Sequence, residues 1–333
     1  MDRMDFTQAV SRLRVLEKRL LNKVKIERMI DSSSAEEALK VLGETEYSSL
    51  MGDVKRAEDY EILLQKELKR VYKLMYDVTP ESSIIDILGI KYDYHNIKVL
   101  LKAKALSKEF DDLIMPMGIM NPSSLKEAIL SGNFKNLPEQ FKNAIKLSED
   151  KYKESKDPQI IDIIVDKYMY EDMVQRAEEI EEEFILEYVK ENIDFINIRT
   201  LLRVKMQDKP LNFLKEVLLK GGYIDTKFLE GIYNDTIENI TTKLASKRYT
   251  NVIKEGLGEF MESGKLTLFE KLFEDHIMAH IKKGKLVHFG PEPLFCYVLA
   301  KETEIKIIRI IMVAKLNNVQ SSVIRERLRD VYV

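Results

Sequence analysis

DYHNIKVLLKAK (residues 93–104), DFINIRTLLRVK (194–205) and EIKIIRIIMVAK (304–315) are three versions of one phrase. An acid opens each: Asp93, Asp194, Glu304. A cation stands five residues on (Lys98, Arg199, Arg309), and a lysine closes the phrase (Lys104, Lys205, Lys315). Ile97, Leu100 and Leu101 have the i, i+3, i+4 spacing of one helix face, as do Ile198, Leu201, Leu202 and Ile308, Ile311, Met312. A strand would alternate with period two, which none of the three does. Each phrase therefore reads as helix. The closing lysine falls in line with the apolar stripe, so its stem can lie on apolar neighbours while the ammonium reaches water or an acid of a neighbouring element.

The phrases are 194 − 93 = 101 and 304 − 194 = 110 residues apart. A second pattern precedes each of them. Ser34 with Glu37, Ser124 with Glu127 and Asp235 with Glu238 have the spacing of a capping box, in which a side chain accepts from the first free amides of a helix and a Glu reaches back. The chain thus reads as three related units, near 1–110, 111–210 and 211–333. Their possible joints are rich in Pro and Gly: MPMGIMNPSS at 115–124, QDKPLN at 207–212 and KGGY at 220–223. A period this long exceeds that of a solenoid repeat, so each unit must be a multi-helix module. Met169, Met173, Ala177, Ile180, Phe184 and Tyr188 form a further helical stripe, flanked by EEIEEE at 178–183, which reads as a solvated helix face. The fold class is all-α.

With 45% apolar and 33% charged residues, the composition is that of a well-solvated globular chain. A net charge of −3 argues against nucleic-acid binding driven by overall charge. One cysteine, Cys296, cannot form an internal disulfide and suits a reducing compartment. MDRMDFTQAV lacks the apolar core of a signal peptide, and no stretch approaches the ~20 apolar residues of a membrane span. The expectation is a cytoplasmic chain that touches a membrane only through a partner.

Little in the sequence points to chemistry. His276 and His280 are one helical turn apart, but HIMAH lacks the Glu of a zinc-protease helix and offers no third ligand. His95 and His288 stand alone. Cys296 sits among apolar residues, as a buried thiol does. GLGEF at 256–260 begins like a dinucleotide fingerprint, but no strand precedes it, and no GxxxxGK[ST] loop occurs. No catalytic, cofactor-binding or metal residue is assigned. The repeated cations Lys98, Lys104, Arg199, Lys205, Arg309 and Lys315 remain. They either satisfy helix-end carbonyls and the repeat's own acids, or stand at module edges and meet an acidic partner.

FGPEPLFCYVLAKETEIKIIRIIMVAKLNNVQSSVIRERLRDVYV, residues 289–333, resembles the signature of the C subunit of V/A-type rotary ATPases and ATP synthases, whose eukaryotic relative is the d subunit. Phe289, Gly290, Glu292, Pro293, Leu294 and Tyr297 carry the first part of that pattern. Lys301, Glu302, Glu304 and Ile305 follow, then Arg309, Ile310, Ile311, Lys315, Leu316 and Asn317, and last Ile324, Arg325, Glu326 and Leu328. DYHNIKVLLKAK resembles the family's first-unit motif, and VSRLRVLEKRLLNKVKIERMI at 10–30 its opening helices. The third phrase departs from the other two, with Lys306–Ile307 where they have His95–Asn96 and Ile196–Asn197. The resemblance implies a funnel of three helical modules about a pseudo-threefold axis. It further implies a non-catalytic central-stalk protein that binds no nucleotide and couples the central shaft to the membrane proteolipid ring. The competing expectation is a free-standing helical scaffold or adaptor.

Overall fold

Each of the three phrases is the last part of a long α-helix. In the computed structural model, which describes residues 2–333, the chain order is α1 (Thr7–Glu17), α2 (Lys23–Asp31), α3 (Ala35–Gly43), α4 (Tyr60–Val78), α5 (Ser83–Leu106), α6 (Pro122–Ser131), α7 (Glu139–Ser155) and α8 (Gln159–Ile180). There follow α9 (Glu183–Met206), α10 (Leu211–Val217), α11 (Thr226–Ile232), α12 (Ile237–Ala245), α13 (Thr250–Ser263), α14 (Thr267–Lys282), α15 (Glu292–Leu316) and α16 (Ser321–Arg327). Short 3-10 turns link several of them, and the described residues contain no strand. The long helices α5, α9 and α15 carry the three phrases. No helix of the described residues is long and apolar enough to cross a membrane.

The chain divides into two compact units, Met1–Ile85 with Asn251–Val333, and Asp86–Thr250. In the first, α15 is the central element. It buries Leu294 to Lys301 without interruption, then Ile305, Ile307, Ile308, Ile311 and Met312, so that almost its whole circumference is covered. Helices α1, α2, α3, α4 and α14 pack around it. The amino-terminal segment therefore shares a core with the carboxyl-terminal third. In the second unit α7 and α8 form a helical hairpin, α9 packs on α8, and the short α10 and α11 lie on α9.

Local chemistry explains the helix starts, with corrections to the predicted caps. Ser34 does cap α3, accepting from the Glu37 amide, while Glu37 reaches back to the Ser33 amide. The cap of α6 is Asn121, not Ser124, because Pro122 at the first helical position starts the helix earlier. The cap of α12 is Thr236 rather than Asp235, whose carboxylate pairs with Lys243. The predicted stripe from Met169 to Tyr188 is not one helix face. Glu181 adopts a left-handed φ of 59°, ending α8, and Phe184 and Tyr188 belong to α9. The acidic run at 178–183 spans the end of α8, the break at Glu181 and Glu182, and the first residue of α9.

Candidate functional site

The opening acids of the three phrases all accept backbone amides from the segment each long helix holds. Asp93 on α5 accepts from Ile119 (2.7 Å) and Met120 (3.0 Å). Asp194 on α9 accepts from Ile224 (2.9 Å) and from the Tyr249 hydroxyl (2.8 Å). Glu304 on α15 accepts from Leu21 (2.5 Å) and from the Tyr47 hydroxyl (2.7 Å). All three acids are buried. Burial pushes the Asp93 carboxyl up to about 6 against the opposing pull of its two amides, and raises Asp194 for the same reason.

One turn further on, an asparagine repeats the grip. Asn96 exchanges two 2.8 Å hydrogen bonds with the backbone of Met115, and Asn197 does the same with Leu219. The third helix has Ile307 at this level, buried in the core and unable to make such a bond. Of the Pro/Gly-rich stretches predicted as joints, 115–124 contains the gripped Met115, Ile119 and Met120, whereas the gripped Leu219 and Ile224 flank KGGY and Leu21 lies in none of them.

Two glycines make the grip possible. A Cβ at Gly118 would lie 2.2 Å from Asp93 Oδ1, and one at Gly222 would lie 2.3 Å from Asp194 Oδ1. An aspartate is short, so the held backbone must come close, and only glycine lets it. Glu304 has one more methylene and reaches Leu21 with no glycine beside it.

The closing lysines cap helix ends. Lys104 donates to the carbonyl of Ile129 (3.0 Å) in the last turn of α6, Lys205 to Tyr233 (2.9 Å) just past α11, and Lys315 to Ser32 (2.7 Å) just past α2. A cation there meets the free carbonyls and the negative end of the helix dipole. Each long helix then ends in the same way. Ser107, Asp208 and Asn318, three residues past the lysine, have φ of 50°, 50° and 54°. The next amides, of Lys108, Lys209 and Val319, bond back to Ala103, Val204 and Ala314, which is a Schellman ending repeated three times.

The middle cations differ from one another. Lys98 pairs with Asp166 of α8 (2.7 Å), and Arg199 stacks over the Phe195 ring at 5.0 Å. Arg309 binds both oxygens of Glu61 at 2.7 and 2.9 Å, yet stays 41% exposed. Beside Arg309 runs an open groove of about 760 Å³, with Ile310, Val313, Ala314 and Ile324 among its apolar lining and Arg327 and Arg329 among its cations. Arg329 pairs with Glu274, whereas Arg327 is exposed with no ion pair among the described residues.

Sequence reasoning gave no role to a fully buried cation. Lys301 is 0% exposed and lies 2.8 Å from Glu304 and 3.1 Å from Glu67, itself wholly buried and bound by Arg70. The two carboxylates hold the Lys301 ammonium charged against the pull of burial. A fully buried lysine requires such partners, but nothing local on the chain says that Glu67 is one.

The remaining motifs have packing explanations. GLGEF lies inside α13, where Gly256 lets the helix approach Phe269 of α14: a Cβ would stand 2.6 Å from the Phe269 Cα. Cys296 is buried, and desolvation raises its thiol well above the ordinary range. His280 is buried, and His276 lies beside the Phe273 ring. No group of three or more metal-ligating side chains converges among the described residues.

A family model described as "ATP synthase (C/AC39) subunit" matches residues 9–327. The chain is 27% identical over 329 aligned positions to the C subunit of the V-type sodium ATPase of Enterococcus hirae, covering 99% of each chain. It is 26% identical over 348 positions to the C subunit of the A-type ATP synthase of Methanocaldococcus jannaschii, covering 96% of this chain and 84% of that one. The C subunit of the A-type ATP synthase of Desulfurococcus sp. is similar too, 27% identical over 341 positions, with 96% and 88% covered.

Proposed function

The chain belongs to the ATP synthase (C/AC39) subunit family and is a stalk subunit of a V/A-type rotary ATPase; from that premise we propose that it performs no catalysis itself and couples the central shaft to the membrane proteolipid ring. In this reading three modules, near 1–110, 111–210 and 211–333, stand about a pseudo-threefold axis as a funnel. The threefold recurrence of acid-to-amide grip, lysine cap and Schellman ending supports it most directly. With those boundaries each phrase helix ends one module and grips the start of the next, and α15 grips the start of the chain. A set of modules linked in that way transmits torque because every joint is hydrogen-bonded rather than merely in contact.

Partner contacts fall to cations left outside these grips. Lys104, Lys205 and Lys315 are engaged by helix ends, so they act in the proposal as module-edge charges. Arg309, with Arg327 beside it, rims the apolar groove along α15 and suits an acid-bearing segment of the shaft. The chain carries no nucleotide, acts on the cytoplasmic face, and meets the membrane assembly through the ring.

The test is recovery of the tagged chain from gently solubilised membranes, with mass spectrometry of the proteins that accompany it. Ring and shaft proteins should co-purify and be lost as salt rises, and an Arg309→Glu, Arg327→Glu double variant should retain its helical circular dichroism but recover less shaft. Recovery of soluble partners alone, without ring or shaft, would establish a free-standing scaffold instead.

A further inference from the structure

KKGKLVHFG, residues 282–290, joins α14 to α15 and takes no part in the grips. Leu286 in this loop is 80% exposed, more than any other large apolar side chain among the described residues. Phe289, three residues on, is 45% exposed. Apolar side chains held in water at this level raise the free energy of the molecule unless something covers them.

The loop is not free to fold them away. Arg14 donates to the carbonyls of Gly284 (3.3 Å) and Val287 (2.5 Å), and Arg3 to that of Phe289 (3.0 Å). Lys285 donates to the Tyr332 carbonyl, and Gly284 is seated so closely on Cys296 that a Cβ would stand 2.5 Å from its sulfur. The backbone is pinned, and Leu286 and Phe289 are the apolar side chains it presents, with Lys283 and His288 exposed among them. Met4 and Val15, each one residue past a pinning arginine, are 58% and 55% exposed.

Lys283, within the tip, is exposed and carries no ion pair among the described residues; the same holds for Arg12 and the C-capping Lys18 of α1, the helix whose Arg14 pins the loop. The neighbouring acids are already engaged: Glu17 by Arg14 and Tyr332, Glu292 by Arg3, Asp330 by Lys282. Asp2 and Asp5 are the exposed acids of the first turn, Asp2 accepting the Met4 amide. Projecting leucine and phenylalanine with the unpaired Lys283 beside them, on a loop held against α1, match an anionic lipid surface, where headgroups take the cations and the acyl boundary takes the apolar tips. A protein partner would have to supply a pocket for Leu286 and a separate acid for each cation, whereas a lipid surface offers both everywhere.

We propose that the 283–289 tip, with the exposed stripe of α1 beside it, docks this chain directly on anionic lipid. The inference stands apart from the stalk reading, since it requires no other protein of the complex.

Flotation of the purified full chain with phosphatidylglycerol–phosphatidylcholine vesicles, against phosphatidylcholine vesicles alone, tests it. The chain should float with the anionic vesicles, lose them at high salt, and bind about tenfold more weakly as Leu286→Asp/Phe289→Asp. Lys283→Glu should weaken binding several-fold on its own. All the substituted side chains are exposed, so thermal melting should be unchanged and serves as the folding control. Failure to float with either vesicle, or flotation that the double variant leaves intact, overturns the proposal. So does a double variant that loses co-purifying proteins while the wild-type chain ignores vesicles, which would make the tip a protein contact.

Discussion

A methyl group at position 118 would lie 2.2 Å from Asp93 Oδ1, so the α5 carboxylate and the backbone it grips meet with no space for a side chain between them. Gly222 stands in the same relation to Asp194 at 2.3 Å. Gly118→Ala and Gly222→Ala should each destabilise the chain by about 2 kcal/mol or more, because the displaced carboxylate is buried and its amide partners are left unpaired. Urea denaturation checks this, and an unchanged midpoint for either variant would contradict it.

Two glycines of one helix make opposite predictions. In α13, Gly256 faces the Phe269 backbone and Gly258 has nothing within 4 Å of its Cβ position. Gly256→Ala should therefore destabilise by about 2 kcal/mol, while Gly258→Ala should stabilise by up to about 1 kcal/mol through helix propensity. Thermal melts of the two variants, measured side by side, should shift in opposite directions.

Asp93 gives a pH dependence of definite sign. Burial raises its carboxyl from 3.8 to about 6 in the folded chain, so the folded state holds this proton more tightly than the unfolded state. Its contribution to stability is full below 3.8 and is lost as the pH rises through about 6, by roughly 3 kcal/mol at most. Relative to Asp93→Asn, which cannot titrate, the wild-type chain should weaken across that window and hold a constant offset above it. Denaturation of both proteins at several pH values reads this difference directly, and a flat difference would refute the assignment.

Lys301 should be among the least replaceable charges in the first unit. Lys301→Met leaves Glu67 and Glu304 buried without their shared cation and should lose about 3–5 kcal/mol. Lys301→Met with Glu67→Leu removes charge on both sides and should recover part of that loss. A double-mutant cycle by urea denaturation measures the coupling, and strictly additive losses would show that the pair is not interacting.

Helix, and the threefold recurrence of helix, were legible from the chain alone. The spacing of Ile97, Leu100 and Leu101 and its two repetitions report a periodicity that belongs to each segment by itself, and α5, α9 and α15 follow it. The acids Asp93, Asp194 and Glu304 and the lysines Lys104, Lys205 and Lys315 stood out for the same reason: a recurring local order is visible without knowing what it touches. Local signals failed where two helix starts competed. Pro122 moved the cap of α6 to Asn121, and the left-handed Glu181 cut an apparently continuous stripe into α8 and α9.

What those residues grip was decided by the tertiary structure. The partner of Asp93 lies 26 residues away, that of Asp194 30 residues, and that of Glu304 283 residues, at the opposite end of the chain. Helical periodicity carries no information over such separations. It is the burial of α15 on nearly all sides that brings Leu21 to Glu304 and Glu67 to Lys301. The sequence by itself determined three like helices, each with an acid and a lysine at set positions. Only packing determined that each acid holds a loop and each lysine a helix end, because a buried polar group takes whatever partner the assembled core places beside it.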